Sequence, residues 1–411
     1  MKKLALSLVL WTVISAPTRA DVTLPSIFSH NAVIQSEVLV PIWGWSNPNE
    51  IISVSTTPSK GRTSTRANKD GRWQVKIGPF KPGSKLTIQV KGENQVTINN
   101  VLAGEVWLCS GQSNMAMTVA RCKDFEKEKA NAKYPQIRMF LVARTPNTTP
   151  QEKVTGRWVV SSPKTVGGFT GTGYFLGREI HKRLNTPVGL INSSVGGTAI
   201  EALTSMSVQK DDPKLKPIFD EWHKLDKAYD AEETMRKYQR ALARWKERAA
   251  VARKQGKRPP RRPRLQVKPT TDRNYPSNLF NGMINQLIPY AIRGAIWYQG
   301  ERNARTPDSA KRYAHQLPLL IQDWRKRWNQ GDFPFFWAQL PNFKARSDDP
   351  GQTTAWALMR ESMAKALEVK NSGMAITIDV GEAKDIHPKN KQDVGKRLAL
   401  QALAKVYNKD V

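Results

Sequence analysis

The sequence predicts an α/β protein, a doubly wound parallel sheet preceded by a small all-β sandwich domain. Three observations carry this. Residues 21–101 hold short runs rich in Val, Ile, Thr and Trp, broken by turn signals at the spacing of a small antiparallel sandwich. From residue 102 the rhythm changes to strand, loop, helix, and the strand candidates are apolar on both faces, as parallel strands covered by helices must be. The chain has 411 residues, 39% of them hydrophobic and 13 of them Trp, enough for a sizeable core in two domains.

The first element is not part of either domain. Lys2 and Lys3 precede an apolar run at 4–14, and Thr18-Arg19-Ala20 offers small residues where a signal peptidase cuts. Residues 1–20 therefore read as a signal peptide. The apolar run is short of the roughly 20 residues a membrane span needs, and no later segment is long and apolar enough. The expectation is an exported protein, periplasmic or extracellular, with no transmembrane segment once the signal is removed.

Within 21–101 the strand candidates are VLVPIWGW, EIISVSTTP, GRWQVKIGPF and KLTIQVKG, separated by NPNE, NKDGR and KPGS. Asp70-Gly71 is the clearest hairpin turn among them. In 102–411 the strands are EVWLCS (105–110), PVGLINSS (187–194), GAIWYQ (294–299), PFFWAQL (334–340) and MAITIDV (374–380), with helices at 172–184, 354–369 and 392–407. The glycines of GGFTGTGYFLG (167–177) lack dinucleotide-loop spacing and no strand runs into them, so this segment reads as the loop before a helix. Two cysteines, Cys109 and Cys122, cannot build a disulfide framework. One bridge between them would suit an oxidising compartment. Cys109 reads as a buried strand residue and Cys122 as a free thiol.

Residues 206–272 interrupt the alternation as a basic helical insertion. A segment of helical composition (235–253) leads into KQGKRPPRRPR (254–264), which holds no acid and contributes to a net charge of +30. Such charge invites a nucleic-acid reading. No aromatic residue interleaves the run, however, and no finger or helix-turn-helix spacing surrounds it. A solvated, partly disordered insertion is expected instead. The partners it would attract are a polyanionic glycan or envelope surface, not a specific nucleic acid.

In a doubly wound sheet the ligand crevice lies beyond the carboxyl ends of the strands. Ser113 follows the first strand, Gly196-Gly197-Thr198 the second, Gln299 to Asn303 the third, and Asp385-Ile386-His387 lies just past the last. Of the five histidines (His30, His181, His223, His315 and His387), only His387 follows a strand end with a carboxylate beside it. A serine needs a base to take its proton, and imidazole titrates near the working pH. His387 is therefore the candidate base for Ser113, with Asp385 as its nearest orienter. Asp379 and a backbone carbonyl are the alternatives to Asp385. The amide of Ser113, that of Gly196 or Gly197, and the side chain of Gln299 or Asn303 are candidate oxyanion donors. Gln112, Asn114, Glu301 and Arg302 complete the set of candidates as substrate contacts. No metal or other cofactor is called for.

WLCSGQSNM, GLINSSVGGTAIEAL, AIWYQGERNA and DIHPKNKQDVGKRL resemble the signature blocks of the sialate O-acetylesterase family, within the SGNH-type hydrolases. YPSNLFNGMI, FSHNAVIQ and VPIWGW are similar as well, so the resemblance covers nearly the whole mature chain. It implies a flavodoxin-like hydrolase domain that removes acetyl groups from sugar hydroxyls without a metal. The family's serine falls on Ser113, its histidine on His387, and its oxyanion positions on the glycine pair and the block from Gln299 to Asn303. Two departures stand out. The wider superfamily has an acid three residues before the histidine, where this chain has Lys384. Arg302 stands where the family pattern has Ser or Thr, adding a cation that would favour acidic sugars. The expected activity is an exported carbohydrate O-acetylesterase with a serine acyl-enzyme. The alternative is an inactive carbohydrate-binding or envelope-associated protein on the same fold.

Overall fold

A computed structural model describes residues 21–58, 61–345, 347–349 and 351–411. The signal-like segment 1–20 lies outside the described residues. The N-terminal strands are β1 (Val33–Gln35), β2 (Val40–Trp45), β3 (Ile51–Thr57), β4 (Arg62–Arg66), β5 (Arg72–Ile77) and β6 (Lys85–Lys91). Period-two alternation explains them: β5 buries Trp73, Val75 and Ile77 and turns Arg72, Gln74 and Lys76 outward. β2 and β5 form a two-stranded antiparallel ribbon, while β4, β3 and β6 lie side by side in a second sheet.

That second sheet has no end at residue 101. Strand β7 (Gln95–Gly111) is 17 residues long. Its first part runs antiparallel to β6, and its second part is the middle of the central parallel sheet. The expected domain boundary therefore falls inside one continuous strand. The turn at Asp70-Gly71 also differs from expectation. It joins β4 and β5, which pair with β3 and β2 respectively, so it is a crossing between sheets and not a hairpin. Asn68 shapes it, its Oδ1 accepting the N–H groups of Asp70 and Arg72 at 3.0 and 2.8 Å.

The central strands are β8 (Ile137–Val142), β9 (Gly156–Val160), β10 (Val188–Ser194), β11 (Gly294–Tyr298), β12 (Phe335–Ala338) and β13 (Ser372–Ala375). The sheet order is β13-β12-β11-β7-β10-β8-β9, parallel throughout except for β9. The run β10-β7-β11-β12-β13 has the 2-1-3-4-5 order of flavodoxin-like sheets, consistent with an SGNH-type fold. The hairpin of β8 and β9 extends one edge and is absent from the strands expected of the sequence.

The helices are α1 (Ser113–Ala116), α2 (Phe125–Ala130), α3 (Gly171–Leu184), α4 (Met206–Gln209), α5 (Lys216–Lys227), α6 (Ala231–Lys254), α7 (Pro307–Trp328), α8 (Ala355–Lys365) and α9 (Lys391–Lys405). α3 begins where Thr170 caps it, its side chain accepting the Gly173 N–H, as the loop reading of the glycine run requires. β10 lies on one side of β7 and β11 to β13 on the other. Right-handed crossovers therefore put α3 on one face and α7 and α8 on the opposite face, and α9 packs on α3. Aromatic rings fill the α7 side, where Trp297 of β11 meets Trp324 of α7 edge-on at 5.9 Å.

One further expectation needs correction. The last strand is expected over 374–380, but the ladder ends at Ala375 and Ile378–Val380 is a 3₁₀ turn. Thr377 Oγ1 donates to Gln339 O at 2.5 Å at the point of departure. The basic stretch 254–264 is largely exposed and touches α6 at Pro260 and Arg262. Trp245 Nε1 donates to Pro260 O at 2.7 Å, and the Arg262 guanidinium lies over the Trp245 ring. α6 is peripheral, burying only Ala249, whereas the start of the insertion is tied in, with Gln209 buried and donating to Glu201 O and Thr204 O.

Candidate active site

β7 delivers the nucleophile candidate. At its end Gly111 has φ of 130°, and a Cβ there would lie 2.3 Å from Tyr298 O, so the close approach of β11 demands glycine. The chain turns through Gln112 and Ser113 opens α1, where the first N–H groups have no partner within the helix. The loop after β10 brings Gly196 alongside. A Cβ on Gly196 would sit 3.3 Å from Ser113 Cβ, so its backbone can approach a group bound at the serine.

The loop between β13 and α9 supplies the base candidate. His387 Nε2 lies 2.8 Å from Ser113 Oγ. Burial pushes the imidazole below its ordinary pKa of 6.5; Asp385 opposes this, and Lys391 and Arg121 reinforce it. The ring is thus neutral near pH 7, the form that can accept the serine proton.

The orienting acid is less tightly held. Asp385 Oδ1 accepts the His387 backbone N–H at 2.9 Å and lies 3.5 Å from Nδ1, and its side chain is 44% exposed. It meets the ring only at the outer edge of hydrogen-bonding range. The rival, Asp379, is committed elsewhere. Its two oxygens accept from the Arg397 guanidinium at 2.5 and 2.6 Å, which holds its carboxyl down at about 2. Among the described residues no backbone carbonyl accepts from Nδ1.

Three expected substrate contacts are instead internal. Gln112 is buried, and its Oε1 accepts the Arg302 N–H. Asn114 is fully buried; its Nδ2 donates to Glu301 Oε1 and to Ile386 O, and its Oδ1 accepts from Lys391 Nζ. Glu301 is buried as well, and burial pushes it up to about 6. Gln299 is likewise spent, its Nε2 donating to Thr198 O and Asn303 Oδ1 and its Oε1 accepting from Tyr313. It braces the loops after β10 and β11 and has no amide proton left for an oxyanion. Asn303 donates one amide proton to Glu201 Oε2 and has no described partner for the other. Of the four expected contacts only Arg302 is half-exposed.

Sequence reasoning missed Lys391, Glu201 and Arg273. A signal for Lys391 existed: a cation in the first turn of a helix opposes the macrodipole, so it needs another reason to be there. Arg273 comes within 3.4 Å of where a Cβ on Gly197 would stand. Three of the remaining histidines have other partners. His30 accepts from Asn99 N, His181 Nδ1 pairs with Thr186 O, and His315 pairs with Asp212. Cys109 and Cys122 are free and buried, with the Cys122 thiol pushed up to about 12 by burial.

The arrangement is a neutral imidazole on a serine hydroxyl, at the carboxyl edge of a parallel sheet, with backbone amides beside it. A family model described as carbohydrate esterase, sialic acid-specific acetylesterase, matches residues 103–256 and 271–404. The chain belongs to this family of acetylesterases. The stretch between the two matched segments coincides with the end of the basic insertion. This esterase is 29% identical to human (Homo sapiens) sialate O-acetylesterase over 444 aligned residues, covering 98% of this chain and 74% of the human protein. The mouse (Mus musculus) sialate O-acetylesterase is also 29% identical, over 89% of this chain and 70% of its own. Among solved structures, a carbohydrate acetylesterase from Xanthomonas citri matches with a TM-score of 0.77 and 32% identity, over 95% of this chain and 76% of that one. No helix among the described residues is long and apolar enough to cross a membrane.

Proposed function

We propose that this esterase removes O-acetyl groups from sugars through an acyl-enzyme on Ser113. The observation that carries the reading is the 2.8 Å separation of Ser113 Oγ and His387 Nε2. In the proposed reaction Ser113 Oγ attacks the acetyl carbonyl while His387 Nε2 takes its proton. The oxyanion is met by the Ser113 and Gly196 amides and the second amide proton of Asn303. The tetrahedral species collapses as His387 returns the proton to the departing sugar oxygen. Water, deprotonated by the same imidazole, attacks the acyl carbon, and the proton returns to Ser113 Oγ as acetate leaves.

The finer substrate reading is an acidic sugar. Arg121, Arg273, Arg302 and Arg305 form no side-chain hydrogen bond or ion pair among the described residues. Arg121 bears on His387, and Arg273 and Arg305 lie close enough to Arg302 to help burial lower its pKa. Unpaired guanidinium groups suit a carboxylate. Sialate O-acetylesterase relatives point the same way. We also infer export, from the signal-like segment 1–20, a β-sandwich module over 21–101, from its two sheets, and a polyanionic envelope or glycan surface as a partner of the basic insertion.

Acetate release from O-acetylated sialic acid, acetyl-xylan and p-nitrophenyl acetate tests the reading. Arg302→Ala should raise KM for the acidic sugar about tenfold and leave the neutral ester within about twofold. Failure to release acetate from any of the three would refute the activity in this chain.

A further inference from the structure

The two carbonyls that flank His387 are both held from inside the protein. Ile386 O accepts from Asn114 Nδ2 at 3.0 Å, and Pro388 O accepts from Lys391 Nζ at 2.7 Å. The same Lys391 ammonium donates to Asn114 Oδ1 at 2.7 Å and stands 5.2 Å over the Tyr298 ring. Asn114 and Lys391 are both fully buried. Because Asn114 adjoins Ser113, one side-chain amide ties the serine turn to the histidine loop, and Glu301 Oε1 anchors that amide at 2.5 Å from the third loop.

Compare this with Asp385, half-exposed and 3.5 Å from the ring. A half-exposed carboxylate at that distance constrains an imidazole weakly. Buried hydrogen bonds from an ammonium are short and strong, and tilting the loop away would cost that ammonium its bond to Pro388 O.

We propose that Asn114 and Lys391 are positioning residues, a clamp that fixes the His387 loop on Ser113 and carries most of the orienting role that Asp385 fills only in part. The proposal rests on reading Ser113 as nucleophile and His387 as base. The groups facing Lys391 are Glu301, Cys122, Glu382 and Asp385, and burial brings its pKa down to about 8. It is charged at neutral pH, and its charge is one of the influences that lower the His387 pKa.

Lys391→Met and Asn114→Ser, made in the full chain, test the clamp with p-nitrophenyl acetate kinetics across pH, melting curves and labelling by a fluorophosphonate. Both variants should lose about 10- to 100-fold in kcat with KM within about threefold. In Lys391→Met the acid limb of kcat/KM should also move to higher pH, because His387 keeps its proton more firmly once the neighbouring cation is gone. A packing role alone would lower the melting temperature and leave that limb in place. If Lys391→Met does not fold, Asn114→Ser carries the test through its loss of kcat. Ser113 labelled in the wild type, with either folded variant turning over at the wild-type rate or the limb unmoved in Lys391→Met, would overturn the clamp and spare the serine reading. A fluorophosphonate that leaves Ser113 unlabelled would instead overturn the serine reading, and the clamp with it.

Discussion

At the start of its parallel part β7 buries Glu105, and just past its other end Asn114, next to Ser113, meets Glu301. The two buried carboxylates are treated differently. Glu105 Oε1 accepts from Ser36 Oγ and Arg293 Nη2 at 3.1 and 3.0 Å, and Oε2 accepts from Arg293 Nε and Tyr407 OH at 2.6 Å each. Gln35 Nε2 lies at 3.4 Å as well. This cluster joins the N-terminal strands, the start of β11 and the C-terminal tail, with both oxygens paired. Glu301 has one oxygen on Asn114 and none for Oε2 among the described residues. Its carboxyl is pushed up and the neighbouring Lys391 pushed down, so both stand closer to neutrality than on a surface. A satisfied cluster is what rigid packing needs; incompletely paired groups with displaced pKa values gather where chemistry is done.

The sharpest break in this comparison should come from the serine. Ser113→Ala is expected to cost on the order of 10³-fold or more in kcat on p-nitrophenyl acetate, with the melting curve unchanged. A folded variant that keeps its turnover would remove the functional end of the contrast.

Glu105→Ala attacks the other end. Leaving the partly buried Arg293 without its carboxylate should destabilise the fold by about 3–5 kcal/mol. The denaturant midpoint would report this, while kcat of the folded fraction stays within about twofold of wild type. A large fall in kcat without a loss of stability would mean that the two ends are coupled.

Smaller still is the effect expected of the orienting acid. Asp385→Asn should lower kcat about tenfold, far short of the roughly 10⁴-fold of a buried triad aspartate in serine proteases. The Asn side chain can still accept the His387 backbone N–H. Asp379→Asn, which loosens only an exposed pair with Arg397, should stay within about twofold. A reversal of that order, measured as kcat beside melting curves, would reassign the orienter.

The smallest effect belongs to the insertion. Removing 254–264 should leave p-nitrophenyl acetate turnover within about twofold, since the segment rests on Trp245 of α6 and not on the site. A collapse of activity would show that the basic arm shapes the crevice.

Ser113 and His387 were legible because the residues just past a strand end face the crevice, and one histidine alone had both a strand before it and a carboxylate beside it. Asp385 was legible by its spacing, but its distance from the ring was not. Gln112, Asn114 and Glu301 misled because a polar string reads alike whether it meets solvent or closes an internal network. Gln299 misled for the same reason. The hairpin of β8 and β9 escaped because IRMFLV sits between turns and not between helices, outside the rhythm that revealed the other strands. Residue 101 looked like a boundary because composition shifts there, although backbone pairing passes through it unbroken.

That unbroken strand bears on how this protein could be inherited or dissected. At about 3.3 Å per residue, β7 carries on the order of 50 Å of contour from the N-terminal sheet to the serine turn. A recombination joint or truncation near residue 101 would sever it midway. The hydrolase half would keep Ser113 but lose the strands that cover one stretch of β7, exposing a raw edge prone to association. Whatever sugar-facing role the N-terminal strands have, the two halves should travel through evolution as one unit, and exchange of glycan preference among relatives should occur in the loops beyond the strand ends.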